Sequence, residues 1–496
     1  MESQKDKSQG KARKLKELGS GRILPLIWKY SWPAQITMAI SVLYNVVDSI
    51  YIGHECGPDA IAGLALTFPF MTVLAAVGML LGVSSGAVLS IRLGQKDMDG
   101  AERTFGQCIA LKGLVGIGFA PILYLLFDPL LHLMAADGVT ELAIANARVY
   151  LKIVIFFHIF AHLAYGFSAC MRAEGSPLRS MVCMLSGFVT NFILDPIFIF
   201  KTIDFGWLGL PFSFPGLGMG VAGAAWATNI AMIVSCVVGF VYALSPHAVV
   251  PLKRSKIGVY RDLAPQVLAI GLSPFLMQFA SSVINFSFNR AFAVWSSSPV
   301  EGTIQIAAFG IYQRIITLFL IPAFGLQQGV GPIIGYNWGA RKYDRVRHSF
   351  NLSILLTTAI VVFAAVMQIG FPRFFASLFV SADKKAVLDA SEFAIRFGNC
   401  MIWVIGLNVA ATTYFQSVSR PKTAIVLSLL RQVICLIPCI WILPRVLPCD
   451  HVIAIWASMP LSDVLAFVAT IFPVLREERM LTRLMHPAAK PLAETD

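Results

Sequence analysis

Charge is scarce in this chain: only 13% of its 496 residues are Asp, Glu, Lys or Arg, whereas 57% are apolar. A typical soluble domain carries about 25% charged residues, so the composition excludes a soluble enzyme, and it is far too apolar for a disordered chain. Nine cysteines are too dilute for a disulfide-stapled scaffold. A polytopic membrane protein remains. At about 20 apolar residues per span, the length accommodates about twelve helices.

Several chemical signatures are also missing. The sequence has no Walker P-loop, so energy for any transport must come from an ion gradient. Gly218 to Gly223 fits G-x-G-x-x-G, but no strand precedes it, which indicates close helix packing. His158 and His162 lie four residues apart without an acidic partner nearby in their helix, which predicts packing rather than zinc binding. We therefore expect no enzymatic activity and no cofactor.

The positive charge is distributed unevenly along the chain. The net charge is +12, and basic residues crowd the N-terminal tail and loops that alternate with basic-poor ones. The positive-inside rule then predicts cytoplasmic termini, an even number of spans and no role in nucleic-acid binding. The apolar run after the basic start is too long for a signal peptide, so it is expected to be retained as the first helix. The basic loops are 92–103, 253–261, 341–347 and 420–422.

The apolar runs predict an all-α polytopic membrane protein with twelve transmembrane helices. The spans lie near 25–52, 61–91, 105–133, 143–171, 177–200, 218–245, 264–294, 303–337, 349–378, 388–417, 421–444 and 452–475. The longest polar connection divides them equally. The predicted parts are a cytoplasmic N-terminal tail (1–24), an N-lobe (25–245), a cytoplasmic inter-lobe linker (246–263), a C-lobe (264–475) and a cytoplasmic tail (476–496).

The two halves resemble each other, as a parallel duplication would produce. The stretch from Ser31 runs beside the one from Ser273, and Pro177 stands opposite Pro421. An even-numbered unit repeated in one orientation implies two pseudo-symmetric six-helix lobes, related by an axis along the membrane normal. The cleft between such lobes is the expected path of a substrate.

Asp48 and Asp195 are acidic residues inside predicted spans of the first lobe. Placing an ionised Asp at the bilayer centre costs roughly 2.5–3.5 kcal/mol or more. Asp48 and Asp195 are therefore expected to have hydrogen-bond partners, contact with water or a functional role. Asn45 precedes Asp48 by three residues and Asn191 precedes Asp195 by four, so each pair shares a helix face. Both acids fall about 6–9 Å below the outer boundary at helical rise, so they could meet. The alternative interpretation is that these polar side chains only stabilise helix packing through hydrogen bonds.

Further oxygen atoms are expected at the same depth. Pro196 lacks an N–H and so leaves the carbonyl of Phe192 without its helical partner. Thr228 enters from the outer side and reaches a similar level, although back-bonding to its own helix is an equal alternative. Such an oxygen-rich site suits a hard cation, and both H⁺ and Na⁺ remain open. The candidate Na⁺ ligands are Asp48, Asn191, Asp195 and Thr228.

The second lobe lacks matching acids, because Cys439 stands opposite Asp195. This asymmetry predicts ion coupling in the first lobe. Arg431 and Asp463 are embedded near the predicted cytoplasmic ends of their spans, where snorkelling or mutual pairing explains them. Polar residues of the second lobe could line a substrate cavity or merely bond across helices. The cavity candidates are Gln278, Asn285, Tyr312 and Asn408.

Four motifs of the sequence point to a known family: Asn45-Val-Val-Asp48, Arg172-Ala-Glu-Gly175-Ser-Pro177, Asn191-Phe-Ile-Leu-Asp195-Pro196 and the stretch from Gly325 to Ala340. At these motifs the sequence resembles the multidrug and toxic compound extrusion (MATE) transporters, and the DinF-like branch looks nearest. The resemblance implies that Asp48, Asn191, Asp195 and Thr228 form the cation-coupling site, with Tyr150 as an accessory member. Ser168-Ala169 departs from the Asn-Asn of many relatives, which weakens a detailed transfer of the proton network.

The resemblance also implies a function. We expect a secondary antiporter that exports organic, often cationic and amphiphilic compounds by alternating access, driven by entering H⁺ or Na⁺. The expected partners are small organic molecules and membrane lipids, the expected location is the plasma or inner membrane, and the expected working form is a monomer. The alternative is a flippase for lipid or lipid-linked oligosaccharide. An anionic pyrophosphate cargo would require a cationic cleft, whereas the intramembrane acids here favour cations.

Overall fold

Helices make up almost all of the computed structural model, which describes residues 2–134, 140–204, 213–380 and 384–485. A short antiparallel hairpin pairs β1 (Thr202–Asp204) with β2 (Ser213–Pro215). The helices are α1 (Glu2–Ser20), α2 (Ile23–Cys56), α3 (Pro58–Gly94), α4 (Met98–Met134), α5 (Glu141–Ala173), α6 (Pro177–Ile199), α7 (Val221–Leu244), α8 (Ala264–Trp295), α9 (Pro299–Gly339), α10 (Tyr343–Gly370), α11 (Pro372–Ser377), α12 (Lys385–Gly398), α13 (Ile405–Ser417), α14 (Pro421–Leu429), α15 (Ile437–Val446) and α16 (His451–Met485).

The prediction of twelve spans is confirmed. Among the described residues, eleven helices are long and apolar enough to cross a membrane, and α12 with α13 forms a twelfth span bent by 44°. Helices are favoured because a bilayer core offers no water to the backbone, so every N–H and C=O must be satisfied within the protein. Most helices extend beyond the apolar runs into polar flanks. α16 reaches Met485, so the start of the predicted tail is helical, whereas 486–496 lie outside the described residues.

One predicted span ends early. The apolar run at 349–378 was expected to be continuous, but α10 stops at Gly370 and α11 begins at Pro372. Phe371 takes φ −127° and ψ 46°, because a residue that precedes proline is displaced from the helical region. The local sequence therefore breaks the helix despite its hydrophobicity.

Two pairs of turns support the internal duplication. Lys96 after α3 and Arg341 after α9 take the left-handed conformation, at φ 62° and 57°. Gly175 after α5 and Ser419 after α13 do the same, at φ 91° and 56°. Non-glycine residues rarely adopt this conformation, so its recurrence at matching positions of both halves indicates a common structural origin.

The chain forms two compact units. Unit 1 contains Trp32–Leu89 and Asp97–Phe279, with the N-terminal residues up to Leu15. Unit 2 contains Lys16–Ser31, Ser90–Lys96 and the residues from Ala280 onwards. The division between the units falls after Phe279, and the bounds of the predicted lobes and linker stay predictions.

The linker segment packs closely on unit 1. The Val250 amide donates to Glu174 Oε2 over 2.9 Å, and the Tyr260 amide donates to Gln107 Oε1 over 3.0 Å. Lys256 forms an ion pair with Asp99 at the start of α4. These bonds hold the segment against the ends of α4 and α5.

Unit 2 contains a π-helical segment, Leu430–Leu436, between α14 and α15. Arg431 lies on it, and its Nε donates to Asp463 Oδ1 on α16 over 2.6 Å. The pairing that the sequence allowed is thus confirmed. Both residues lie in the interior of their helices instead of near the ends, because the observed span Pro421–Val446 and α16 extend well to either side of them.

Candidate functional site

A buried polar site lies inside unit 1, where α2, α6 and α7 contribute its side chains. Asp48, Asn191, Asp195 and Thr228 have exposed fractions of 6%, 1%, 1% and 2%. Asn191 Nδ2 donates to Asp195 Oδ1 over 3.0 Å and lies 3.5 Å from Thr228 Oγ1. The carboxylates of Asp48 and Asp195 are close enough to interact electrostatically. We call these four residues the aspartate cluster.

The local sequence explains why these side chains meet. Asn191 and Asp195 are one turn apart on α6, so they share a face, and both are buried. The facing helix α7 carries small residues, and a side chain at Gly223 would strike the carbonyl of Phe198 on α6. This close packing of α7 on α6 brings Thr228 to the level of Asn191.

Three acceptor oxygens of the aspartate cluster have no hydrogen-bond partner among the described residues. They are Asp48 Oδ1, Asn191 Oδ1 and Asp195 Oδ2. Buried polar atoms are nearly always bonded, and an ionised carboxylate can only accept. Two neighbouring carboxylates in a low-dielectric interior also repel each other. The cluster is therefore arranged to receive a proton or a cation.

Two tyrosines border the aspartate cluster. Tyr150 on α5 is 5% exposed and faces Thr228 and both carboxylates. Tyr44 on α2 was not predicted, and its hydroxyl lies 3.3 Å from Thr228 Oγ1. Its position four residues before Asp48 places it on the same helix face, so the spacing alone could have identified it.

Asn45 is not brought into the aspartate cluster. Its side chain is exposed, and Nδ2 donates to the Ser41 carbonyl on the same helix over 2.6 Å. This back-bonding satisfies the amide locally, so the i,i+3 relation to Asp48 does not produce a shared site.

The predicted cavity residues of the second lobe are dispersed. Tyr312 is 2% exposed, and its hydroxyl donates to Asn399 Oδ1 over 3.0 Å. Asn408 donates to the Leu427 carbonyl over 3.2 Å and to Thr470 over 3.1 Å. These are the cross-helix bonds of the alternative interpretation. Asn285 is exposed and bonds its own helix, and Gln278 is half-buried and belongs to unit 1.

The described residues contain no group of three or more His, Cys, Asp or Glu side chains that could hold a metal ion. A sodium ion at the aspartate cluster would therefore be bound by two carboxylates together with amide and hydroxyl oxygens. These are hard oxygen donors, so the donor set fits Na⁺, one of the two ions that the sequence left open.

The MatE family matches the chain over residues 33–197 and 278–442. The multidrug export protein MepA of Staphylococcus saprophyticus is 25% identical over 453 residues, which are 91% of this chain and 93% of the relative. A MOP superfamily transporter from Pyrococcus furiosus shares the fold, with a TM-score of 0.84 and 21% identity over 95% of this chain and 98% of that one.

A further solved structure is more similar in sequence. The MATE multidrug transporter DinF-BH, solved as a complex with a small molecule, is 30% identical, has a TM-score of 0.80 and is matched over 93% of this chain and 97% of that one. The family match covers both halves of the sequence, in agreement with the repeat. Members of this family are transporters and not enzymes. The chain therefore belongs to the MATE family of multidrug efflux transporters.

Proposed function

We propose that this transporter is an antiporter that couples export of cationic, amphiphilic organic compounds to entry of H⁺ or Na⁺ at the aspartate cluster. The observation that carries the proposal is the set of three buried acceptor oxygens without partners among the described residues, on Asp48, Asn191 and Asp195. A bound proton or sodium ion supplies the positive charge that these oxygens need. Asn45 is left out of the site, and Tyr44 and Tyr150 are included as neighbours.

Coupling follows from competition between two charge states of unit 1. With the carboxylates ionised, a cationic substrate is attracted to the transporter from the cytoplasm. With a proton or sodium ion bound, that attraction is lost and the substrate is released outside. A ligand shifts a conformational equilibrium only by its differential affinity, so the ion must bind the outward-facing state more tightly.

Related proteins support the substrate class. The relative from Staphylococcus saprophyticus is named a multidrug export protein, and DinF-BH is named a multidrug transporter. Intramembrane carboxylates favour cations over the anionic pyrophosphate of a lipid-linked cargo, which argues for organic cations here.

Dye efflux from proteoliposomes tests the proposal. Ethidium export would be followed under an imposed proton gradient, an imposed sodium gradient or neither, in wild type, Asp48→Asn and Asp195→Asn. We expect one gradient to accelerate wild-type export and both variants to lose that acceleration. An amide stays neutral, so it can neither release a proton nor offer a negative charge to a sodium ion.

Asp128→Asn is the matched control, since Asp128 is 44% exposed and pairs with Arg148 away from the aspartate cluster. It should export like wild type. If both cluster variants keep wild-type rates and ion dependence, the coupling assignment is wrong. If neither gradient drives dye export but labelled lipid crosses the bilayer, the flippase alternative gains support.

A further inference from the structure

A row of buried side chains follows α5 through the interior of unit 1. The row takes every fourth residue from Tyr150 at the aspartate cluster to Glu174, which caps the helix, and all seven positions are buried. It covers about 36 Å at 1.5 Å per residue and winds slowly round the helix. Its members are Tyr150, Val154, His158, His162, Gly166, Cys170 and Glu174.

Lys112 on α4 enters this row opposite Gly166. The lysine is 1% exposed, and Nζ donates to the Gly78 carbonyl on α3 over 2.9 Å. A side chain at Gly166 would come within 2.8 Å of Lys112 Cε, so the glycine leaves the space that the lysine occupies. Among the described residues no carboxylate forms an ion pair with Lys112. Burying an ammonium group without a counter-charge costs free energy, so the burial of Lys112 requires an explanation.

Two histidines continue from Lys112 towards the aspartate cluster. A side chain at Gly78 would lie 2.8 Å from His162 Nδ1, so His162 and Lys112 meet at the same residue of α3. The His158 and His162 rings are 4.9 Å apart in an edge-to-face arrangement. His158 is 7% exposed, and its Nδ1 has no partner among the described residues. Three bases thus follow one another through the core.

A polar side chain lies between the histidines and the aspartate cluster. Asn229, next to Thr228 on α7, donates to the Ile153 carbonyl over 2.9 Å, between the levels of Tyr150 and His158. Its Oδ1 is buried and has no partner among the described residues. Buried polar atoms of this kind are commonly bridged by internal water, which conducts protons between groups that do not touch.

We propose that Lys112, His162 and His158 form a second proton-binding site, which exchanges protons with the aspartate cluster past Asn229. In the transfer, the O–H bond of an aspartic acid breaks and an N–H bond forms at His158 or onward at His162 or Lys112, leaving an aspartate and a cation. The inference rests on the proton-driven form of the proposed function. The second site gives the N-lobe a place to hold the entering proton after that proton has left the carboxylates.

The surroundings of the three bases contain few competing charges. Lys112 faces Cys108 on its own helix and His162 and Cys170 on α5, while α3 presents the backbone of Gly78 and Gly82.

Proton counting in weakly buffered detergent solution tests the site. Protons bound between about pH 5 and 9 would be measured with a pH indicator for wild type, for Asp48→Asn with Asp195→Asn, and for the same double variant with Lys112→Met and His158→Gln added. We expect the double variant to retain exchangeable protons beyond its surface groups, and the added substitutions to remove at least one. Lys152→Met with His54→Asn is the matched control, because both residues are exposed and should leave the interior count unchanged.

Imidazole ¹⁵N spectra of the wild-type protein give a second measurement that needs no variant to fold. We expect the signals assigned to His158 or His162 to titrate between about pH 5 and 9. An identical proton count in the quadruple and double variants, with buried histidines that never titrate, overturns the second site. Retained ion coupling in the aspartate double variant would overturn the proposed function instead, so the two failures are distinguishable.

Discussion

At the scale of single residues, Asn191 organises the aspartate cluster. Its amide nitrogen donates to Asp195 Oδ1 and lies near Thr228 Oγ1, and its own oxygen has no partner among the described residues. Asn191 therefore both orients a carboxylate and offers an acceptor. Asn45, the same residue type on α2, does neither, because it bonds its own helix.

This contrast gives a matched pair of substitutions. Asn191→Ala removes a hydrogen bond to a carboxylate, which is worth about 1.5–3 kcal/mol, so we expect ion-driven ethidium export to fall about tenfold or more. Asn45→Ala should keep most of the wild-type rate. Initial rates from proteoliposomes with equal protein content measure both, and equal rates in the two variants would contradict the assigned role of Asn191.

At the scale of helices, unit 2 is held by a buried ion pair. Arg431 on the π segment and Asp463 on α16 have side chains that are 20% and 1% exposed, and they are 2.6 Å apart. Removing one partner of a buried pair leaves an uncompensated charge in a low-dielectric interior. The pair therefore joins α16 to the span that contains the π segment.

We expect Arg431→Met to lower the free energy of unfolding by about 3–5 kcal/mol, since Asp463 would remain buried alone. Arg373→Met is the control, because the Arg373 side chain is 56% exposed and its pairs with Asp389 and Glu392 are worth about 1 kcal/mol or less. Thermal unfolding in detergent compares the two. A midpoint for Arg431→Met as high as that for Arg373→Met would show that the buried pair contributes little.

The C-terminal end of α5 carries a pH-sensitive contact. Burial raises the pKa of Glu174 from its ordinary 4.5 to about 7, although bonds from the Tyr242 hydroxyl and the Val250 amide oppose the shift. The folded protein thus prefers the neutral carboxyl. Its contribution to stability is fully present below about pH 4.5 and is lost as the pH rises through about 7.

Glu174→Gln should remove this dependence, because the amide stays neutral throughout. Relative to the variant, wild type should lose up to about 1.4 kcal/mol of stability per pH unit between about pH 5 and 7. Melting midpoints across this range and at about pH 8 measure the slope, and protease cleavage at 246–263 reports loosening of the linker segment. Parallel pH profiles in the two proteins would refute the assignment.

At the scale of the whole molecule, the charge pattern predicts an orientation. Basic loops alternate with basic-poor ones, which places both termini and the 246–263 segment in the cytoplasm. Cys449 is exposed in the connection between α15 and α16, on the predicted outer side. Ser255 is exposed in the linker segment.

Thiol labelling of intact cells tests this orientation. A membrane-impermeant maleimide should label Cys449 in the wild-type protein, and Cys449→Ser should lose that label. In a Cys449→Ser background, Ser255→Cys should react only after the cells are opened. Labelling of Ser255→Cys in intact cells would reverse the assigned topology.

The sequence predicted the fold well because its main signal is hydrophobicity, which the bilayer requires of every span. It predicted that Asp48, Asn191, Asp195 and Thr228 lie together, since the i,i+4 spacing of Asn191 and Asp195 and a depth argument suffice for helices. It did not anticipate the role of Tyr44 or the isolation of Asn45. Those outcomes depend on which way a side chain turns, and back-bonding within a helix decides that independently of spacing.

Lys112 shows another limit of the sequence. It lies within a predicted span as a single basic residue, which resembles a snorkelling lysine near a helix end. Only the packing of three helices shows that it points inwards, because Gly166 leaves the space for it and Gly78 accepts its hydrogen bond. Buried functional bases of this kind depend on glycines in neighbouring helices.

The π segment has a consequence for the phase of its span. A π turn contains one residue more than the α turn that it replaces, so winding the segment into a regular α-helix with all its residues kept would rotate everything after it by about 100°. Cys439 and Ile440, now buried in unit 2, would then turn out of the core. A single surplus amino acid thus sets which side of this helix is interior.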